Sequence, residues 1–248
     1  MLTVARAALI EVAQLLWPAR CAGCNDYIPD AAIFCAACAP SVTPLPPSCP
    51  GCALPQNQAP AAGRCATCRR VPFPFAGASA VFEYGEAVAD AVVRMKHGGR
   101  RDLGLRLGRT LAGPLRAALA RGGFGAGDLV VPVPLHPRKL RRRGFNQALE
   151  LARVALRPLG RARDRPRLAR RLLLRIRDTP ELGHAGPAAR LLAVAGAFAV
   201  ADGARVRGRR VLLVDDVFTT GATFTACAQA LRAAGAREVH VIALARAV

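Results

Sequence analysis

The chain has 248 residues, is 52% hydrophobic and carries 36 Lys and Arg against 16 Asp and Glu, for a formal net charge of +20. That length suits one large domain or a medium domain with a small one, and no stretch reaches the ~18 uninterrupted apolar residues of a membrane-spanning helix, so none is expected. The charge is uneven: residues 94–177 hold 23 basic and 4 acidic side chains, which favours an anionic partner at that segment, although a basic run is also an ordinary solvated face.

In chain order, the opening "MLTVARAALIEVAQLL" resembles a signal peptide only superficially. Glu11 and Gln14 interrupt its apolar part, and Leu2, Ala5, Leu9, Val12 and Leu16 share one helical face, so a short amphipathic helix docked on the body is expected. Eight of the nine cysteines then form four CxxC pairs: Cys21 and Cys24, Cys35 and Cys38, Cys49 and Cys52, Cys65 and Cys68. Two thiolates on a tight turn reach one tetrahedral zinc, and a second pair closes the site. Two structural zinc sites are expected, pairing first with second and third with fourth more readily than interleaved. Disulfides would need an oxidising compartment, and a redox CxxC would stand alone beside a βαβ pattern. The segment has few large apolar residues, so metal binding would supply its folding free energy. The ninth cysteine, Cys227, lies among alanines in an expected helix and reads as a small buried hydrophobe.

After about residue 75 the pattern changes. "ASAVFEYG" (78–85) reads as a strand, and 86–99 and 101–123 read as helices. "DLVVPVPL" (128–135) reads as a buried strand, followed by a basic loop and a helix over 145–156. Strands are expected within 170–176, at 196–200 and at 209–216, then a helix over 220–234 and a closing strand within 237–248. This alternation implies a parallel sheet with helices on both faces, with ligands beyond the carboxyl ends of the strands.

The clearest strand, "RRVLLVDD", ends in Asp215 and Asp216 and runs into Thr219, Thr220, Gly221, Ala222 and Thr223. A glycine turn before a helix favours an anion, which the free N–H groups and the helix dipole attract. Two carboxylates would repel a bare phosphate, so the ligand should also offer hydroxyls or a bound Mg²⁺, as a sugar phosphate does. A receiver domain would need a later phospho-accepting Asp, and no Asp follows Asp216. Neither GxxxxGK[ST] nor GxGxxG is present.

"VLLVDDVFTTGAT" resembles the thirteen-residue phosphoribosyl-pyrophosphate (PRPP) motif of type I phosphoribosyltransferases. With "VPVPLHPRKLRRRGFNQ", "RRRGFNQALELA", the closing "VIALARA" and the cysteine pairs, the chain resembles the ComF (competence protein F) family over essentially its whole length. The resemblance implies a small N-terminal double zinc ribbon (1–75) before a parallel-sheet α/β phosphoribosyltransferase-like domain (76–248). It implies that Asp215 and Asp216 contact the ribose hydroxyls of PRPP and that Thr219–Thr223 wrap its 5′-phosphate. Arg138, Lys139, Arg143 and Asn146 are implied pyrophosphate or anion contacts, with Mg²⁺ on the diphosphate. The segment 160–190 corresponds to a mobile lid, where Arg177 and Thr179 fit the family pattern. The family commonly has a glutamine and an asparagine where this chain has Leu182 and Ala193. The implied activity is phosphoribosyl binding or transfer by a cytoplasmic protein linked to natural competence. The alternative is a non-catalytic single-stranded-DNA-binding factor, against which stands an aromatic content of only 5%. No acceptor-recognising element and no catalytic base are identified; His136, beside prolines, reads as a packing or hydrogen-bonding residue.

Overall fold

A computed structural model describes residues 19–28, 32–56, 63–160, 163, 165–179 and 186–248. The expected N-terminal helix and Leu182 lie outside the described residues. Five parallel strands form the main sheet: β1 (Gly77–Glu83), β2 (Leu129–Pro132), β3 (Arg167–Leu168), β6 (Arg210–Phe218) and β7 (Glu238–Arg246), in the order β1-β7-β6-β2-β3. A separate antiparallel pair joins β4 (Leu173–Arg175) to β5 (Phe198–Val200).

The central strands read as continuous apolar runs because both of their faces are covered. Side chains alternate across a strand. Val211 and Leu213 of β6, with Val239 and Val241 of β7, face one core; Leu212, Val214, Ile242 and Leu244 face the other. The first core includes α8 (Ala222–Ala233) and the β4–β5 pair; the second includes α2 (Glu86–His97), α3 (Arg101–Thr110), α4 (Ala112–Arg121) and α6 (Gln147–Ala155). Cys227 is fully buried in the first core.

The helix expected over 101–123 divides at Leu111 into α3 and α4. Pro114 has no N–H to offer the carbonyl of Thr110, so the helical ladder is interrupted there. The stretch expected as a basic loop after β2 forms the exposed helix α5 (Pro137–Arg143). It buries no residue and so shows no apolar period, but Pro137 at its start and Gly144 at φ 81° past its end are the usual boundary residues. Strand β6 continues past Asp216 because Val217 and Phe218 still pair with Ala245 and Arg246. The described part of 160–190 supplies edge strand β3, strand β4, as expected within 170–176, and the start of α7 (Pro187–Val194).

The cysteine-bearing segment, which includes α1 (Ala66–Arg70), is built into this body. Leu45 and Glu83 make backbone hydrogen bonds with Val81 and Thr43, and Ala78 N–H donates to the carbonyl of Pro50 at 2.8 Å. The 43–50 segment therefore covers part of the exposed edge of β1, an edge that would otherwise invite pairing with another chain.

Candidate functional site

The alternation of β6 explains why two acids stand side by side. Asp215 continues the row of Val211 and Leu213, whereas Asp216 continues that of Leu212 and Val214, so the two carboxylates leave the strand on opposite sides. Asp216 meets α2, where its Oδ2 is 3.0 Å from Lys96 Nζ. Asp215 lies on the α8 side, and its Oδ1 accepts the Asp216 backbone N–H at 2.9 Å. Both are buried. Burial, reinforced by the negative charge of Asp216 and opposed by Lys96, pushes the Asp215 carboxyl up to about 7. Burial opposes the charge on Lys96, but Asp216 and Asp215 outweigh it and raise its pKa.

Beyond Phe218 the chain turns through Thr219, Thr220 and Gly221 into α8. Gly221 has φ +83°, and a Cβ there would lie 2.6 Å from Phe73 Cε1, so both backbone and packing require glycine. Ala222 N–H donates to Thr220 Oγ1 at 3.4 Å. Helix α8 is twelve residues long, and its first turn points N–H groups and the positive dipole end at this corner.

The corner opens onto a cleft of about 580 Å³ at the carboxyl ends of β2 and β6. All seven residues from the acid pair and the turn (Asp215, Asp216, Thr219, Thr220, Gly221, Ala222 and Thr223) line it. Lys139 and Arg143 of α5 line it as well, as do Lys96, Arg175 and Arg190. Among the described residues that line it, Asp215 and Asp216 are the only carboxylates, set among Lys96, Lys139, Arg143, Arg175 and Arg190.

Of the other residues singled out from sequence, Thr179 and Ala193 line the cleft and Arg138, Asn146 and Arg177 do not. Arg138 is absent from the lining; its side chain is 76% exposed and lies 3.9 Å from Asp178. Asn146 caps α6, accepting from Leu149 N–H, and its Nδ2 donates to the carbonyl of Val133 at 3.0 Å. It fixes α6 against the end of β2. Arg177 donates to the carbonyl of Ala195 at 2.7 Å and does not line the cleft. Thr179 is buried and lines it; its hydroxyl accepts from Arg175 and its carbonyl accepts from Lys139 at 3.0 Å. Ala193 also lines the cleft. His136 caps α5, with Nδ1 accepting from Arg138 N–H at 3.4 Å. Sequence reading missed Lys96, Arg175 and Arg190. Lys96 is one of only two lysines among 36 basic residues, the one signal that could have marked it.

The cysteines gather into two clusters, Cys21, Cys24, Cys35 and Cys38, and Cys49, Cys52, Cys65 and Cys68. Within each cluster the sulfurs lie within 4.8 Å of one another. Zn–S bonds of 2.3 Å in a tetrahedron separate sulfurs by about 3.8 Å; Cys24–Cys35 and Cys52–Cys65 are each 3.7 Å apart. Backbone N–H groups of Cys35 and Cys65 donate to Cys21 and Cys49 Sγ at 3.2 Å, as thiolates require. Burial disfavours ionisation throughout; backbone N–H groups outweigh it at Cys21 and Cys49, bringing those thiols down to about 6 and about 7, whereas Cys38, Cys52 and Cys68 are raised. Both clusters fit zinc, with all four positions supplied by protein.

Two known domain families match the chain. The phosphoribosyl transferase domain family matches residues 174–247, and the double zinc ribbon domain family matches residues 12–71. The DNA utilization protein YhgH of Salmonella typhi is 31% identical over 213 residues, covering 86% of this chain and 90% of that protein. Its counterpart from Escherichia coli (strain K12) is 29% identical over 215 residues, with the same coverage. Among the described residues no helix is long and apolar enough to cross a membrane. With the ribbon, the parallel sheet and the acid–threonine turn in this order, the chain belongs to the ComF family of double-zinc-ribbon, phosphoribosyltransferase-domain proteins, together with the DNA utilization protein YhgH.

Proposed function

We propose that the cleft binds PRPP or a closely related sugar phosphate and serves phosphoribosyl binding or transfer in DNA utilization. The observation that carries this reading is the corner itself: a buried carboxylate pair at the end of β6 directly followed by a glycine turn into α8. Asp215 and Asp216 would accept hydrogen bonds from the ribose hydroxyls, while Thr219–Thr223 and the first turn of α8 hold the 5′-phosphate. Lys139 and Arg143, on the α5 side of the same cleft, would face the diphosphate. Mg²⁺ bound with PRPP would neutralise diphosphate charge and favour its departure. For transfer, the C1–oxygen bond to pyrophosphate breaks as an acceptor bonds to C1. The protein's part is then to hold the sugar in place and to surround the leaving charge with cations. A calorimetric competition tests the reading. PRPP with Mg²⁺ should bind, and ribose 5-phosphate and pyrophosphate should each compete more weakly; absence of competition by ribose 5-phosphate would remove the assignment of the threonine turn.

A second reading is favoured by the exposed basic helix α5 and by the name of the relatives: single-stranded DNA held along α5 beside the cleft. It predicts binding that weakens steeply with salt and drops when Arg138, Arg141 and Arg142 are changed to Gln. Binding unaffected by these changes would count against it. DNA-uptake proteins are the corresponding protein partners.

A further inference from the structure

One side chain joins the second cysteine cluster to the threonine turn. Arg246, near the end of β7, is 8% exposed. Its Nε donates to the carbonyl of Cys52 at 2.9 Å, and its Nη1 reaches the carbonyls of Phe218 at 2.9 Å and Thr219 at 2.6 Å, as well as that of Ala247. Its guanidinium also lies 4.5 Å from the Phe218 ring centroid. Phe73 and Phe75, which follow the second cluster, stack at 4.8 Å and meet Phe218 edge-on at 6.0 and 6.1 Å. Phe73 also fills the space where a Cβ of Gly221 would sit. Cys49, Cys52 and Cys68 share one continuous core with Phe75, Phe218, Ala222 and Phe224.

The first cluster is attached elsewhere. Ala22 packs into the opposite core, and Arg94 and Arg106 of α2 and α3 donate to the carbonyls of Gly23 and Arg20. The two clusters therefore brace opposite faces of the sheet, and only the second reaches the turn through these contacts.

We propose that the second cysteine cluster is part of the ligand site: Arg246 and Phe73 carry its folded, metal-bound shape to the β6–α8 turn and thereby set the turn's order and its affinity for a sugar phosphate. Arg246 is a positioning residue, since it holds the turn through backbone carbonyls and does not line the cleft. Buried carbonyls at a turn need donors, and one guanidinium supplies them for both the ribbon and the turn. By thermodynamic reciprocity, a ligand at the turn should strengthen retention of metal in the second cluster.

The affinity arm rests on the PRPP reading; the ordering of the turn does not. The experiment uses the full zinc-loaded chain and the variants Arg246→Lys and Phe73→Ala, which keep all eight paired cysteines. Native mass spectrometry checks that two zincs are retained. Hydrogen exchange is then followed for residues 217–224, with α6 and residues 21–38 as controls. Exchange at 217–224 should accelerate about tenfold or more while the controls stay within about threefold, the pattern of local and not global opening. PRPP–Mg²⁺ affinity should fall about tenfold, and PRPP should slow chelator capture of one of the two zincs in the wild type only. Arg246→Lys should be milder than Arg246→Met. If Arg246→Lys fails to fold, Phe73→Ala carries the test. Unchanged exchange at 217–224, or equal acceleration in the controls, overturns the proposal. If the turn loosens as expected but the wild type binds no PRPP, the coupling stands and the ligand reading falls.

Discussion

Lys96→Met isolates the pairing that holds one of the two acids. Lys96 Nζ and Asp216 Oδ2 are 3.0 Å apart, with side-chain exposures of 26% and 4%. Methionine keeps the apolar stem and removes the charge, so Asp216 is left buried beside Asp215 without its cation. Breaking a fully buried pair costs about 3–5 kcal/mol because one charge stays uncompensated. A quarter of the Lys96 side chain reaches water, which brings the expected loss below that range, to about 2–3 kcal/mol, after allowance for solvent screening. With a urea slope of about 2–3 kcal/mol/M, the midpoint should fall by about 1 M. Far-UV circular dichroism at pH 7.5 in zinc-containing buffer reads this directly. Lys96→Met/Asp216→Asn removes the stranded charge and should recover at least half of the loss. A midpoint unchanged by Lys96→Met, or a double variant no more stable than the single one, would mean that the charge of Lys96 does not hold Asp216.

The remaining predictions concern the turn, the acid pair and the metal sites. Gly221→Ala places a Cβ 2.6 Å from Phe73 at φ +83°, so it should cost about 1–2 kcal/mol from backbone strain alone and weaken PRPP binding; an unchanged melting temperature would contradict the packing. The folded pKa of Asp215 is raised to about 7, above the ~3.9 of an unfolded chain. The stability it contributes is therefore complete below about pH 4 and is lost as pH rises through 7. Asp215→Asn should accordingly gain stability relative to the wild type between pH 6 and 8; a constant difference in urea midpoint across that range would argue against a raised pKa. Native mass spectrometry should find two zincs per chain, and a strong chelator should unfold the cysteine-bearing segment; a folded segment free of metal would exclude structural zinc sites.

Much of this arrangement is legible in sequence where one local pattern decides it. The apolar run of β6 ending in two acids, the glycine before α8 and the fourfold CxxC spacing each express a physical requirement of their own. What sequence left unread depends on contacts distant in the chain. Lys96 is 120 positions from Asp216, yet it lies 3.0 Å away because α2 packs on the face to which even-numbered β6 residues point. Helix α5 buries nothing and so gives no period, although Pro137 and Gly144 mark its ends. That Asn146 caps α6 and donates to the carbonyl of Val133 is likewise visible only in the folded chain. Arg246 lies in the closing "VIALARA", and only the tertiary fold shows that it joins Cys52 to Phe218 and Thr219.

The end of β6 and the turn into α8 are the proposed site for a ribose carrying a phosphate. Isothermal titration of the zinc-loaded chain with PRPP and Mg²⁺, repeated on Asp215→Asn/Asp216→Asn, measures it most directly. One equivalent should bind to the wild type, and loss of two charge-assisted hydrogen-bonding carboxylates should weaken binding by about a hundredfold. Equal affinity in the two proteins, or no binding by a folded wild type holding both zincs, would contradict the account.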